Sequence, residues 1–400
     1  MNQHLRQIDS RISLLGACAL GTAGVKIFAV LPLLLGTIAE HLQLDDTETG
    51  MVASLYYVAY FVVTLTSMFW IRRVSWRVLA SLGCGLMVLG LIGSAVFSES
   101  YQGVVAGMMV SGLGAAVVFA LSFTLVSDMS DKDRRFAIKL VPEQIIPAAL
   151  MFILPALVIE DFGLKGMLYA LALAILVLAF LSGGIPTRGA AKDDAPQARK
   201  QVSGALVFTG LGALVLFFAG FAGLWAFSER LAHDSLDPVL VGQLLALGLV
   251  SSAVGPFVAA FVADRWGRVT PIVIGVVLSL GSLFLLVGQI TAVKFGLLMA
   301  VLPAAYYFSL AYLFGIISDA DFSGRFAALI ASALALGAAV GPAVFGVILD
   351  EQGQNAAYLT AAILVAVGAL IFIWMERRLE RAHLIAGEGA EKYPRAEISK

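Results

Sequence analysis

Twelve times along its length the sequence runs for about 20 residues on almost purely apolar side chains. Runs of that length cross a bilayer as helices, because in lipid a chain must satisfy its own backbone hydrogen bonds. The predicted spans lie near 12–35, 49–70, 77–97, 102–127, 136–159, 164–185, 204–228, 238–262, 271–290, 295–317, 326–349 and 356–375. Leu15-Gly16-Ala17-Cys18 resembles a signal-peptide cleavage site, but the run continues unbroken to Leu35 and reads as a span. Composition agrees: 60% of residues are hydrophobic and 13% charged, where soluble domains carry roughly 25% charge. The expected fold class is an all-α integral membrane protein.

The charges sit in the connections. With an even number of spans both termini share a side, and that side carries Arg6, Arg11, Arg72, Arg73, Arg77, Lys132, Arg134, Arg135, Arg188, Lys192, Arg265, Arg268 and Arg325. The opposite loops hold only Lys165, Arg230 and Lys294. Positive charge stays inside, which predicts a bacterial-type inner (plasma) membrane protein with both termini cytoplasmic. The net charge of −1 says nothing about nucleic acid, because the charges sit in short clusters between apolar blocks, and no nucleic-acid partner is expected. Cys18 and Cys84 lie in apolar runs, while His4, His41, His233 and His383 fall at edges or tails, so no metal or cofactor is expected.

One connection is long, polar and interrupted by Pro196. It divides the chain into a bundle of six spans (1–186), a cytoplasmic linker (187–203), a second six-span bundle (204–378) and a charged cytoplasmic tail (379–400). The halves repeat. Ser127-Asp128 leads to Arg135-Phe136-Ala137 as Ser318-Asp319 leads to Arg325-Phe326-Ala327, and Arg72 answers Arg265, at offsets of 191, 190 and 193 residues. Parallel repeats of six helices with a substrate site between them are a transporter architecture.

The stretch Ala260-Phe-Val-Ala-Asp264-Arg265-Trp266-Gly267-Arg268 resembles the G-x-x-x-D-R-x-G-R signature between helices 8 and 9 of the major facilitator superfamily. With the helix count, linker and repeat, the resemblance extends over residues 10 to 378. It implies two pseudo-symmetric six-helix bundles, and a cytoplasmic gate in which Asp264, Arg265 and Arg268 latch against the start of helix 11. The first-half counterpart, Ser67 to Trp76, keeps Arg72 but has Ile71 for the acid and Val74 for the glycine. In helix 4, Gly112 and Gly114 resemble the family's second motif with Met108 at its arginine position. The glycine-proline motif that drug/proton antiporters carry in helix 5 is absent there, where Pro142, Pro147 and Pro155 stand. A similar pattern (Gly337, Gly341-Pro342, Gly346) lies in helix 11, where close helix packing accounts for it.

Glu143 and Lys26 are the charges to explain. Glu143 stands roughly 12 Å into the fifth span and Lys26 about 20 Å into the first, at about 1.5 Å per residue. Charges at such depth pair, neutralise or face a water-filled cavity. The lysine leans back toward the level of Glu143, and three arrangements follow. A static Lys26–Glu143 pair is one. In another, Lys26 holds the anionic group of a substrate while Glu143 takes and releases a proton. The third joins Glu143 to Lys139, four residues earlier, and leaves Lys26 free. Leu216 and Ala333, at the matching positions of the other half, are apolar, which favours binding or coupling over packing.

Most aromatics in the spans pack or face lipid, but Tyr57, Tyr306 and Trp225, with Gln243, are candidate substrate-binding groups. Glu229-Arg230 is expected as an interfacial pair or outer gate. No catalytic constellation is present, so the chain is not expected to be an enzyme. The function predicted is a secondary active transporter, monomeric and surrounded by membrane lipid. It moves a small amphipathic or aromatic organic anion by alternating access, with the proton gradient driving symport. Proton-driven efflux of amphipathic compounds or lysolipids is the alternative, and a non-transporting ligand sensor on the same fold is the alternative of another class.

Overall fold

The structure, a computed structural model, describes residues 7–129, 132–189, 204–233, 235–262, 266–286, 288–320 and 327–391. Among these, the long elements are all helical. The first half comprises α1 (Arg11–Ala29), α2 (Leu31–Leu42), α3 (Asp46–Trp70), α4 (Trp76–Val96), α5 (Tyr101–Ser127), α6 (Lys132–Leu154) and α7 (Glu160–Leu181). The second comprises α8 (Gly204–Ala226), α9 (Ser228–His233), α10 (Pro238–Val262), α11 (Val269–Ser282), α12 (Ala292–Ala320), α13 (Ala327–Gln352) and α14 (Gln354–Glu391).

Eleven described stretches are long and apolar enough to cross a membrane. The longest, Ile138–Leu181, has 44 residues and reverses at Gly163 (φ 55°, ψ −148°), so it supplies two crossings. Twelve crossings result, as the hydropathy predicts. The first is broken where α1 hands over to α2 at Val30, next to Pro32. Helix starts carry the caps their sequences offer: Ser10, Asp45 and Ser100 accept the backbone N–H of Ser13, Glu48 and Gly103.

Two six-helix bundles meet chiefly along α3 against α13 and α6 against α10. Close approach depends on missing side chains. A Cβ on Gly50 would strike the Pro342 carbonyl, and one on Gly242 would strike Pro155 and the Met151 carbonyl. Only 187–189 of the linker are described, and there the Thr187 carbonyl accepts the Trp76 backbone N–H at 2.8 Å. The tail, expected as an appendage from 379, continues α14 to Glu391. Its Glu, Arg, Leu and Ala are strong helix formers.

Candidate functional site

The fifth crossing carries its charges as a local pair. Lys139 and Glu143 lie one turn apart on α6, and the ammonium donates to Glu143 Oε1 at 2.5 Å. The lysine is 0% and the glutamate 3% exposed. Room for them comes from Gly21 of α1, where a Cβ would overlap the carboxylate and stand 2.8 Å from Lys139 Cε. The other face of the ammonium is covered by rings of α5, with the Phe123 and Phe119 centroids 4.5 and 5.4 Å away. Aromatic faces are attractive to a desolvated cation. Pro142 and Pro147 withhold their N–H groups from the helix ladder, which frees the carbonyls of Ile138 and Glu143 itself.

From this pair a chain of rings crosses the molecule. Phe119 meets Tyr60 at 6.1 Å, Tyr60 meets Tyr57 at 5.9 Å, and Tyr57 stands edge-on to Phe28 at 6.0 Å. Phe28 stacks on Phe218 of the other bundle at 5.4 Å. Phe218 leads to Phe221, and Phe221 stacks on Tyr306 at 4.1 Å and on Trp225 at 6.2 Å. Tyr306 also donates its hydroxyl to the Phe217 carbonyl at 3.1 Å. The Tyr56 hydroxyl, beside Tyr57, is buried with no hydrogen-bond partner. The bundles are further joined at mid-depth by Ser252, whose hydroxyl donates to Gln144 Oε1 at 3.0 Å.

The end opposite the termini is closed by charges. Arg230 Nε lies 2.7 Å from Asp46 Oδ1, and its Nη1 donates to the Thr49 hydroxyl. Asp350, at the end of α13, accepts the backbone N–H of Asp46 at 3.0 Å and both the backbone and hydroxyl donors of Thr47. A carboxylate of one bundle therefore caps the first turn of α3 in the other. The expected Glu229–Arg230 pair is not what forms. Adjacent residues point to different sides of a helix, so Arg230 reaches Asp46 while Glu229 bonds His233 one turn on, at 3.3 Å. Burial pushes the Glu229 carboxyl above its ordinary range, against the attraction of His233 and Arg230.

Three of the predicted binding groups, Tyr57, Tyr306 and Trp225, come together in the ring chain, whereas Gln243 is half-buried on α10. Glu143 is buried, and of the three arrangements left open by the sequence the side chains adopt the third, with Glu143 on Lys139 and not on Lys26. Lys26, 0% exposed, donates to the Leu171 carbonyl of α7 at 2.7 Å. The reason is azimuth: Gly21, which faces Glu143, is five residues from Lys26, and five steps of about 100° put the two about 140° apart around α1. Lys139 was available one turn away on the glutamate's own helix. At the terminal end, Arg72 makes two bonds to Asp128, at 2.8 and 3.0 Å. The acid missing at Ile71 is thus supplied from the end of α5. Arg268 Nη1 stands 3.7 Å from Glu376 of α14. Asp264 and Arg265 lie outside the described residues. Sequence reasoning passed over Phe119 and Phe123, whose i,i+4 spacing toward a buried lysine was the available signal. It also passed over Asp46 and Asp350, which looked like ordinary helix-end acids.

The model of the Major Facilitator Superfamily matches residues 16–142. A substituted form of the nucleoside transporter NupG superposes with a TM-score of 0.72 at 16% identity, covering 91% of this chain and all of that one. A D-xylose-proton symporter gives 0.71 at 13% identity, covering 93% and 97%. A bacterial homologue of the human lysosomal transporter Spinster, in an inward-facing, unoccupied conformation, gives 0.67 at 14% identity, covering 95% and 98%. No curated protein sequence matches the chain. Helix count, paired bundles and the match over residues 16–142 agree, and the chain shares the fold of these three transporters.

Proposed function

We propose that this protein is a proton-coupled symporter of a small amphipathic or aromatic organic anion. It works by rocking bundle 1–186 against bundle 204–378 in an inner membrane, with both termini and the 187–203 linker cytoplasmic. The observation that carries the reading is the Lys139–Glu143 pair, buried against Phe119 and Phe123 at one end of the ring chain. A buried ion pair is poor value as a stability device, because apolar side chains of similar size do as well or better. It is well suited to exchanging partners.

An arriving carboxylate takes the Lys139 ammonium, and its apolar or aromatic body lies along Tyr60, Tyr57, Phe28 and Phe218. Glu143, left as a lone carboxylate in a low-dielectric site, takes up a proton. Anion and proton load together, and each must favour the other's binding by the same factor. Tyr57, Tyr306, Trp225 and Gln243 shape the substrate body's site, with Lys139 in the role first expected of Lys26. Arg72 with Asp128, and Arg268 with Asp264, Arg265 and Glu376, act as the cytoplasmic gate.

The test is transport in proteoliposomes with labelled aromatic carboxylates under an inward proton gradient. Accumulation driven by the gradient is expected, and Glu143→Gln should abolish it while leaving counterflow. Accumulation by Glu143→Gln equal to wild type overturns the coupling. Binding without counterflow would make the protein a sensor, and substrate loss against an inward gradient would make it an exporter of amphipathic compounds.

A further inference from the structure

The lipid-facing side of the second bundle is not smooth. Between α8 and α14 runs a groove of about 370 Å³, lined by Thr209, Val367, Leu370, Ile371 and Trp374. The α14 members fall at i, i+3, i+4 and i+7, a single stripe that extends about 10 Å along the helix. The α8 wall is a single small residue, Thr209, facing the four of α14. The one hydroxyl in the lining, that of Thr209, donates to its own helix at Ala205 O, 2.9 Å away. The groove's lining is therefore almost wholly apolar.

Its terminal end is different. The Arg378 guanidinium lies 4.8 Å from the Trp374 ring centroid, and Arg377 is exposed beside it. The neighbouring acid, Glu376, is turned away toward Arg268. Tryptophan and arginine at the end of a spanning helix mark the headgroup level.

We propose that this groove is a binding site for one anionic phospholipid, with an acyl chain along the α14 stripe and the phosphate on Arg377 and Arg378. Guanidinium groups pair with phosphate oxygens in forked geometry. A neutral lipid would leave that pairing unused, and a free phosphate would leave the groove unused. The two halves of the site, apolar slot and cationic end, match the two halves of such a lipid.

The full-length protein is reconstituted in phosphatidylcholine vesicles containing a minority of phosphatidylglycerol, re-extracted in mild detergent, and its retained lipid quantified by mass spectrometry. Wild type should retain phosphatidylglycerol above its share of the vesicle. Arg377→Gln and Arg378→Gln should each lower that enrichment about fivefold, the factor for one basic residue at an anionic surface. Thr209→Phe, which fills the groove from α8 but keeps both arginines, should lose it as well. On the wild-type protein alone, raised salt should weaken the preference, whereas added inorganic phosphate at constant ionic strength should not displace the lipid. No enrichment in wild type overturns the proposal. So does enrichment unchanged by loss of both arginines, by Thr209→Phe or by salt, and so does displacement by phosphate.

Discussion

Trp225 donates its indole N–H to the backbone carbonyl of Phe28, 197 positions away in the chain, at 3.0 Å. That carbonyl is available because its helical partner would be the N–H of residue 32, and residue 32 is proline. The break between α1 and α2 thus exposes an acceptor at the seam between the bundles, and a ring of the other bundle takes it.

Trp225→Phe keeps a ring to stack on Phe221 and removes only the donor. A net contribution of about 1 kcal/mol for one such bond shifts a two-state equilibrium about fivefold. Spin-label distances across the ends of α3 and α13 near Asp46 and Asp350 should show a larger separated population in the variant. Pro32→Ala should do the same, since the restored N–H competes for Phe28. An unchanged distance distribution in both would show that the bond does not hold the bundles together.

Lys139 and Glu143 call for a double-mutant cycle. Lys139→Met leaves a buried carboxylate unpaired, and Glu143→Leu leaves a buried ammonium, each costing about 3–5 kcal/mol if the lone group stays charged. The double variant removes both charges and should recover most of the thermal stability while losing transport. Calorimetry or dye-based melting of the purified proteins checks the first statement, and flux the second. If the double variant melts as low as the single variants, the pair is held in place by more than mutual neutralisation.

What the sequence made legible follows from which interactions are local. Hydropathy placed all twelve crossings, because membrane insertion depends on the summed apolarity of a window and little else. The motif around Arg265 and the half-chain repeat pointed to a resemblance, and the family model matches residues 16–142 of the first half. The repeat also marked Asp128, whose bond to Arg72 explains why the first-half signature can do without an acid at 71. The partner of Glu143 was not decided by depth, because depth says nothing of azimuth. Lys26 reaches a suitable level on a face of α1 that meets α7 rather than α6. The ring chain was visible only as separate aromatics, since its continuity depends on Phe28 and Phe218 meeting across bundles. Pro32 announced a break, but nothing near it in sequence announced Trp225.

Glu229 gives the closed end a pH dependence. Its carboxyl is held above the ordinary range by burial, with His233, Arg230 and Glu40 the charged groups facing it. A raised acid binds its proton more tightly in the folded protein than in the unfolded chain. Its stabilising share is therefore complete below the ordinary value of 4.5 and is lost as pH rises through the raised one. Glu99, fully exposed and drawn down by its bond to Lys165 and by His41, works in the other direction, losing its share as pH falls below 4.5. Melting temperatures taken upward from that value should fall more steeply in wild type than in Glu229→Gln, which stays neutral. Parallel curves would show that the carboxylate is already ionised in the folded state.

Asp350 offers the sharpest test of how the bundles are held. It accepts donors from both Asp46 and Thr47, so one carboxylate at the end of α13 fulfils for α3 a capping role normally played within a single helix. Capping by a side chain contributes about 0.5–2 kcal/mol, and here that energy exists only while the bundles are closed at this end. Asp350→Ala should therefore favour the separated state by roughly twofold to thirtyfold without unfolding α3, whose own Asp45 still caps Glu48. Asp350→Asn keeps an acceptor oxygen and should fall between the two. A cysteine introduced at Thr49, beneath Arg230, should react faster with a membrane-impermeant thiol reagent in the alanine variant than in the asparagine variant. Equal rates in both would assign closure to the Arg230–Asp46 pair alone.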